Sequence, residues 1–152
     1  MKNLTEKYRF GFDFRALALF LIIMIPNFLW FAVPAPSDIL RVESKTPVTD
    51  AIASVCQVIL VCCLCFVVRR DKKPLRPSAT LVGTALLVVL YITCWILYYC
   101  GIAGVAVILG LTCFPCAAFM TFAVDRRNFI ALIPTAIFTA CHLIYAAMNF
   151  IL

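Results

Sequence analysis

Charge is missing from most of this chain. No Asp, Glu, Lys or Arg occurs in residues 16–37, 51–68, 77–124 or 128–152. Histidine is almost missing too: His142 is the single one, and it lies inside an uncharged run. The uncharged runs therefore hold no paired carboxylates for general acid–base work. The chain also lacks an HxxxH pair and a glycine-rich phosphate loop. The loop 34–50 has no cysteine. An external thiol pair that could relay electrons to a buried partner is thus absent. These gaps point away from an enzyme, with membrane redox chemistry the one class left open.

What is present is apolar. Of 152 residues, 65% are hydrophobic, and the mean hydropathy is +1.07. Soluble domains sit near about 45–50% apolar. A chain of this length cannot hide so much apolar surface in its own core, so lipid is the expected solvent. A helix rises about 1.5 Å per residue, and about 20 residues cross the hydrocarbon core. Three of the uncharged runs fit one crossing each. The run 77–124 would form a helix about 72 Å long, more than twice too long. It must turn, and "CGIAG" (Cys100 to Gly104) is its one break. The expected fold is an all-α integral membrane bundle of five helices, at about 15–34, 51–69, 79–100, 104–124 and 129–151. It is read as a single membrane domain, 1–152, with no soluble domain and no internal repeat.

Basic residues give the expected orientation, because Lys and Arg stay on the cytoplasmic side. Lys2, Lys7, Arg9, Arg15, Arg69, Arg70, Lys72, Lys73, Arg76, Arg126 and Arg127 fall on one side; only Arg41 and Lys45 fall on the other. The N-terminus is expected in the cytoplasm and the C-terminus outside, in a bacterial-type inner membrane. The net charge of +6 then needs no nucleic-acid partner. The bilayer is the expected partner, with anionic headgroups drawn to the basic side. The first apolar run exceeds the h-region of about 7–15 residues in a signal peptide, and Pro36 follows the best cut, after Ala35. It reads as a retained anchor. In "TPVTD", Thr46 and Pro47 suit the cap and first position of the second helix.

The nine cysteines fall almost entirely inside the runs, where a thiol behaves as a small hydrophobe. "CFPC" (113–116) has C-x-x-C spacing. Cys113 would lie roughly 13 Å down its helix, out of reach of a substrate thiol. Cys62 and Cys65 share a helical face, but no complementary ligand accompanies them. No metal and no cofactor is expected.

Intramembrane polar groups mark functional sites by default. Thr135, Thr139, His142, Tyr145 and Asn149 share one helical stripe by their i+3 and i+4 spacing. A neutral imidazole is tolerable there, while a charged one is expensive. Counting residues from each helix end places Asn27, with Trp30 a turn above it, Gln57, Tyr91, Trp95 and His142 in the outer half of the bilayer. Trp30, Tyr98 and Tyr99 also suit an interfacial aromatic belt. Pro26 frees a backbone carbonyl beside Asn27. The candidate ligand-binding residues are His142, Asn27, Trp30, Tyr91, Trp95, Tyr145, Asn149 and Gln57. Of these, Asn27, Tyr91, Trp95 and His142 would face each other across the first, third and fifth helices.

The layout is five helices in about 150 residues, with a longer first loop and a tight turn between the third and fourth. With "LIP" (Leu132–Pro134) opening the last helix and Trp95 six residues before Gly101, it is similar to the tryptophan-rich sensory (translocator) proteins. The loop 34–50 has prolines but lacks that family's tryptophan motif. The resemblance implies a porphyrin-like ligand as one alternative. The preferred expectation is a small polytopic membrane protein that binds or passes a small amphipathic or aromatic ligand. It would act as a homo-oligomer or with a partner membrane subunit. A structural or accessory subunit whose polar stripe faces a partner helix is the competing reading.

Overall fold

Apolar runs of bilayer length close into helices where a cap or proline starts them. The computed structural model describes residues 4–36, 38–71 and 78–152. Along the chain lie α1 (Leu4–Lys7), β1 (Tyr8–Phe10), α2 (Phe14–Ala32), a 3-10 turn (Ile39–Arg41), α3 (Pro47–Phe66), β2 (Val67–Arg69), α4 (Ala79–Tyr99), α5 (Val105–Asp125) and α6 (Phe129–Ala146). A π turn, Ala147–Ile151, continues α6. The helices α2 to α6, the last with its π turn, are long and apolar enough to cross a membrane. The protein is an all-α, multi-pass membrane bundle.

The caps follow residue chemistry. Asp13, Ser78 and Asn128 each accept a backbone N–H of the first turn of α2, α4 and α6, which satisfies donors that have no partner inside the helix. Pro47 takes the first position of α3, where its missing N–H costs nothing. Thr46 holds the N-cap position of that helix, as expected, but its hydroxyl makes no cap bond and donates to Asp50 at 3.1 Å. Between α4 and α5, Gly101 adopts φ +85°. The N–H groups of Gly101 and Ile102 close back onto Tyr98 and Leu97, which makes the turn as tight as its sequence implied.

Several helix boundaries differ from expectation. The first helix ends at Ala32 rather than 34, because Val33 turns extended ahead of Pro34. The second begins at Pro47, the start that "TPVTD" suited, rather than at 51, and stops at Phe66 rather than 69. Its tail, Val67–Arg69, pairs antiparallel with Tyr8–Phe10, with Arg9 opposite Val68. Long-range pairing of two three-residue strands leaves no periodic signal in so short a stretch. The third and fourth helices shift by one residue at the turn, to Ala79–Tyr99 and Val105–Asp125. The fifth loses α-helical geometry after Ala146.

The five long helices form a ring in the order α2, α3, α6, α5, α4. The pairs α4–α5, α3–α6 and α5–α6 pack extensively, whereas α2 leans on α3 and meets α4 along a thin seam. Half of the α5 span is buried, against 22–28% for the other four. Gly110 lets α5 approach α4 closely: a Cβ there would strike Cys94 Sγ. Leu, Ile, Val and Phe side chains elsewhere point outward, as a lipid solvent requires.

One end of the ring is stitched by polar contacts. Arg126 donates to Asp13 Oδ2 at 2.9 and 3.1 Å, and both side chains are about nine-tenths buried. Asn128 donates to the carbonyls of Cys63 and Val67 at 2.8 Å each, which ties α6 to the end of α3. Ser78 and Thr80 both bond Asp125, and Thr84 meets Thr121 at 2.8 Å. This is the basic end. The opposite end carries the loop 33–46.

Candidate functional site

Towards the loop end the ring does not close on itself. A cavity of about 290 Å³ lies there, walled by all five long helices. From α2 come Ile23, Met24, Asn27, Trp30 and Phe31; from α3, Gln57; from α4, Tyr91 and Trp95. From α5 come Ile108, Leu111, Thr112, Pro115 and Phe119; from α6, Phe138, His142 and Tyr145. Leu40 of the loop and Phe150 complete the wall. Seven of the eight candidate residues therefore meet at one place: Asn27, Trp30, Gln57, Tyr91, Trp95, His142 and Tyr145.

Asn149 is the exception. It accepts the Lys45 N–H at 2.7 Å and donates to Thr46 Oγ1 at 3.1 Å. It fastens the loop instead of facing the cavity. The stripe that included it divides in the same way. The hydroxyls of Thr135 and Thr139 bond carbonyls one turn back in their own helix, at 2.6 and 2.7 Å. Only His142 and Tyr145 of the stripe reach the wall.

The expected residues lie on four helices, Gln57 of α3 among them, and the wall differs from that expectation because α5 also contributes. The contribution of α5 left no trace in the sequence: it is apolar on every side, so no periodicity marks an inner face. Its Pro115 and Thr112 line the cavity, and the Thr112 hydroxyl is closed onto Ile108 O at 3.0 Å.

At the floor of the α2 wall, Asn27 Nδ2 donates to the Tyr91 hydroxyl at 2.8 Å. That hydroxyl donates in turn to Ile23 O at 3.2 Å, which also receives Asn27 Nδ2 at 3.0 Å. Proline at 26 denies a partner to the carbonyl of residue 22. The side-chain bonds settle one residue later, on Ile23. Trp95 stands edge-on to Tyr91 and Tyr98 and is 6% exposed. Its indole N–H has no hydrogen-bond partner among the described residues. The Tyr91 ring centre is 6.4 Å from that of Trp95, and its hydroxyl is engaged with Asn27 and Ile23 O. Across the cavity the His142 ring stacks between Phe138, at 4.9 Å, and Tyr145, at 6.2 Å. Among the described residues no protein group bonds its ring nitrogens. Gln57 has only a weak contact to Met24 sulfur, at 3.9 Å.

The loop spans the mouth, and Asp38 fastens it. Its carboxylate accepts from Trp30 Nε1 at 2.9 Å, Tyr98 Oη at 2.8 Å, Arg41 Nε at 2.8 Å and the Ala35 N–H at 3.3 Å. Burial alone would push this carboxyl up; the bonds from Trp30, Tyr98 and Arg41 outweigh it and hold the group below its ordinary value. The Arg41 guanidinium lies 4.9 Å from the Trp30 ring centre and also bonds the Trp30 carbonyl. Trp30 and Tyr98 are thus more than belt residues. Nothing in the sequence singled out Asp38, because a lone acid among prolines is an ordinary loop feature.

All nine cysteines are free, including Cys113 and Cys116, and none lines the cavity. Among the described residues, no three His, Cys, Asp or Glu side chains gather as a metal site would require. The cavity wall carries no charged side chain. It offers aromatic faces and a few neutral donors and acceptors. Compared with models of protein families, with curated proteins and with solved structures, the chain matches none of them.

Proposed function

We propose that this protein binds a small uncharged amphipathic or aromatic molecule in the cavity at its loop end. The observation that carries this reading is the Trp95 indole N–H, buried and, among the described residues, unpartnered on an otherwise neutral, aromatic wall. Buried donors are nearly always satisfied, and one left open costs about 1–3 kcal/mol. A ligand acceptor would satisfy it, with His142 and Gln57 able to take a second polar group. An uncompensated ligand charge would be costly against such a wall. The volume sits at the low end of small-molecule sites, roughly 300–1,000 Å³. That favours a compound of one or two rings over a porphyrin-like macrocycle. A subunit serving only as a scaffold would have no use for an internal polar cavity. The basic end faces the cytoplasm in this reading, as the positive-inside rule directs, so the cavity lies in the outer half of a bacterial-type inner membrane.

The protein supplies its own reporter, because its two tryptophans, Trp30 and Trp95, both line the cavity. In detergent, 1-acetylnaphthalene, which carries a carbonyl acceptor, is expected to quench their fluorescence saturably. Its near-isostere 1-ethylnaphthalene should bind on the order of tenfold more weakly, the size of one buried hydrogen bond. Trp95→Phe should abolish that preference while Trp30 still reports. Quenching that rises linearly with both compounds, as simple partitioning would give, defeats the proposal.

A further inference from the structure

We infer that the cavity is loaded sideways from the bilayer, through the seam between α2 and α4, with the Trp95 indole as the partition. The inference rests on the binding reading above. Its ligand class is narrower: an uncharged amphiphile that dissolves in the hydrocarbon core before it binds.

Three observations converge on that seam. First, a crevice of about 450 Å³ lies between α2 and α4, lined among others by Ile25, Pro26, Trp95, Ile96 and Tyr99. Its apolar rim faces outward: Ile25 is 54% and Ile96 58% exposed. Second, Trp95 lines both this crevice and the internal cavity. It is the one residue on both walls, and its N–H has no hydrogen-bond partner among the described residues. An aromatic ring that turns about its χ1 and χ2 would join them, and its free N–H would meet the incoming acceptor. Third, the seam is the weakest joint of the ring, since α2 barely packs on α4. Pro26 lies in the crevice wall, where its missing N–H loosens α2. The polar bonds across this seam are few: Asn27 and Tyr91 below, and Tyr99 Oη to Val33 O at 2.7 Å above.

The other routes are built differently. The basic end is bolted by the Asp13–Arg126 pair and by Asn128. The loop at the far end is tied to Trp30 and Tyr98 through Asp38 and to Asn149 through Lys45. A water-borne ligand would have to break several charge-assisted bonds. A lipid-borne one meets apolar side chains and the Trp95 ring, packed against Trp30, Tyr91, Tyr98 and Tyr99.

The test separates rate from affinity. Ile25→Phe and Ile96→Phe add bulk to opposite lips of the crevice at lipid-exposed positions, where folding should tolerate it. Reconstituted protein is mixed by stopped flow with phosphatidylcholine vesicles preloaded with 1-acetylnaphthalene, and tryptophan quenching is followed. Each variant is expected to slow both loading and release about fivefold or more, leaving the saturation midpoint unchanged, because both directions cross the same barrier. Normal saturation with unaltered rates in both variants overturns the sideways route alone. Absence of any saturable signal in the unmodified protein overturns the binding reading, and the route with it.

Discussion

At the level of single residues, the cavity wall mixes two kinds of polar group. Asn27 and Tyr91 are satisfied by each other and by Ile23 O. Among the described residues, no protein group bonds the Trp95 N–H or the His142 ring nitrogens. The first pair should therefore matter to stability, and the second to ligand. Asn27→Leu and Tyr91→Phe each keep the side chain's size and remove the bond. In a double-mutant cycle read by thermal unfolding in detergent, their coupling is expected to be about 0.6 kcal/mol, and up to about 1.7. A coupling indistinguishable from zero would mean the bond contributes nothing to the fold. His142→Phe should behave in the opposite way, keeping the melting temperature and weakening the hold on 1-acetylnaphthalene.

At the level of elements, the loop between α2 and α3 is held by one carboxylate. Asp38 accepts from four groups, and these hold its proton affinity below the ordinary carboxylate level. A group whose folded pKa is depressed stabilises above its unfolded value and loses that contribution as pH falls through the folded one. The unfolded value is near 3.8. Asp38→Asn should lower the melting temperature at neutral pH, and the gap between it and the unmodified protein should narrow as the buffer is taken from about pH 5 to about pH 3. A gap constant over that range would show that the carboxylate charge is not what fastens the loop.

At the level of the whole molecule, the two ends of the bundle have opposite characters. One is cross-linked by buried ionic and amide contacts, and the other encloses neutral aromatic space. In the orientation proposed from the distribution of Lys and Arg, the cross-linked end faces the cytoplasm. Glu43→Cys and Arg70→Cys, both at exposed positions, test this in intact cells. Beyond the background of the native cysteines, a membrane-impermeant maleimide is expected to label position 43 and to spare position 70. The reverse pattern would invert the topology and place the cavity in the cytoplasmic half.

Much of this architecture was legible in the residues alone. Uncharged runs of bilayer length dictate five crossings, because lipid forces each backbone to satisfy itself within a helix. That Asn27, Gln57, Tyr91 and His142 share one level along the bundle also followed from counting, since rise per residue is fixed. Depth, however, is one coordinate. Which way a side chain faces depends on helix rotation and on neighbours distant in sequence. That is why Asn149 was grouped with His142 yet fastens the loop, and why α5, uniformly apolar, gave no hint of its five cavity residues. The ribbon of Tyr8–Phe10 with Val67–Arg69 depends on two segments nearly sixty residues apart, and so does the link from Asp38 to Tyr98. Composition fixes the solvent and the number of crossings. The cavity, the seam at α2–α4 and the unpartnered Trp95 exist only once the ring has closed, because they are spaces and gaps between elements that no single segment encodes.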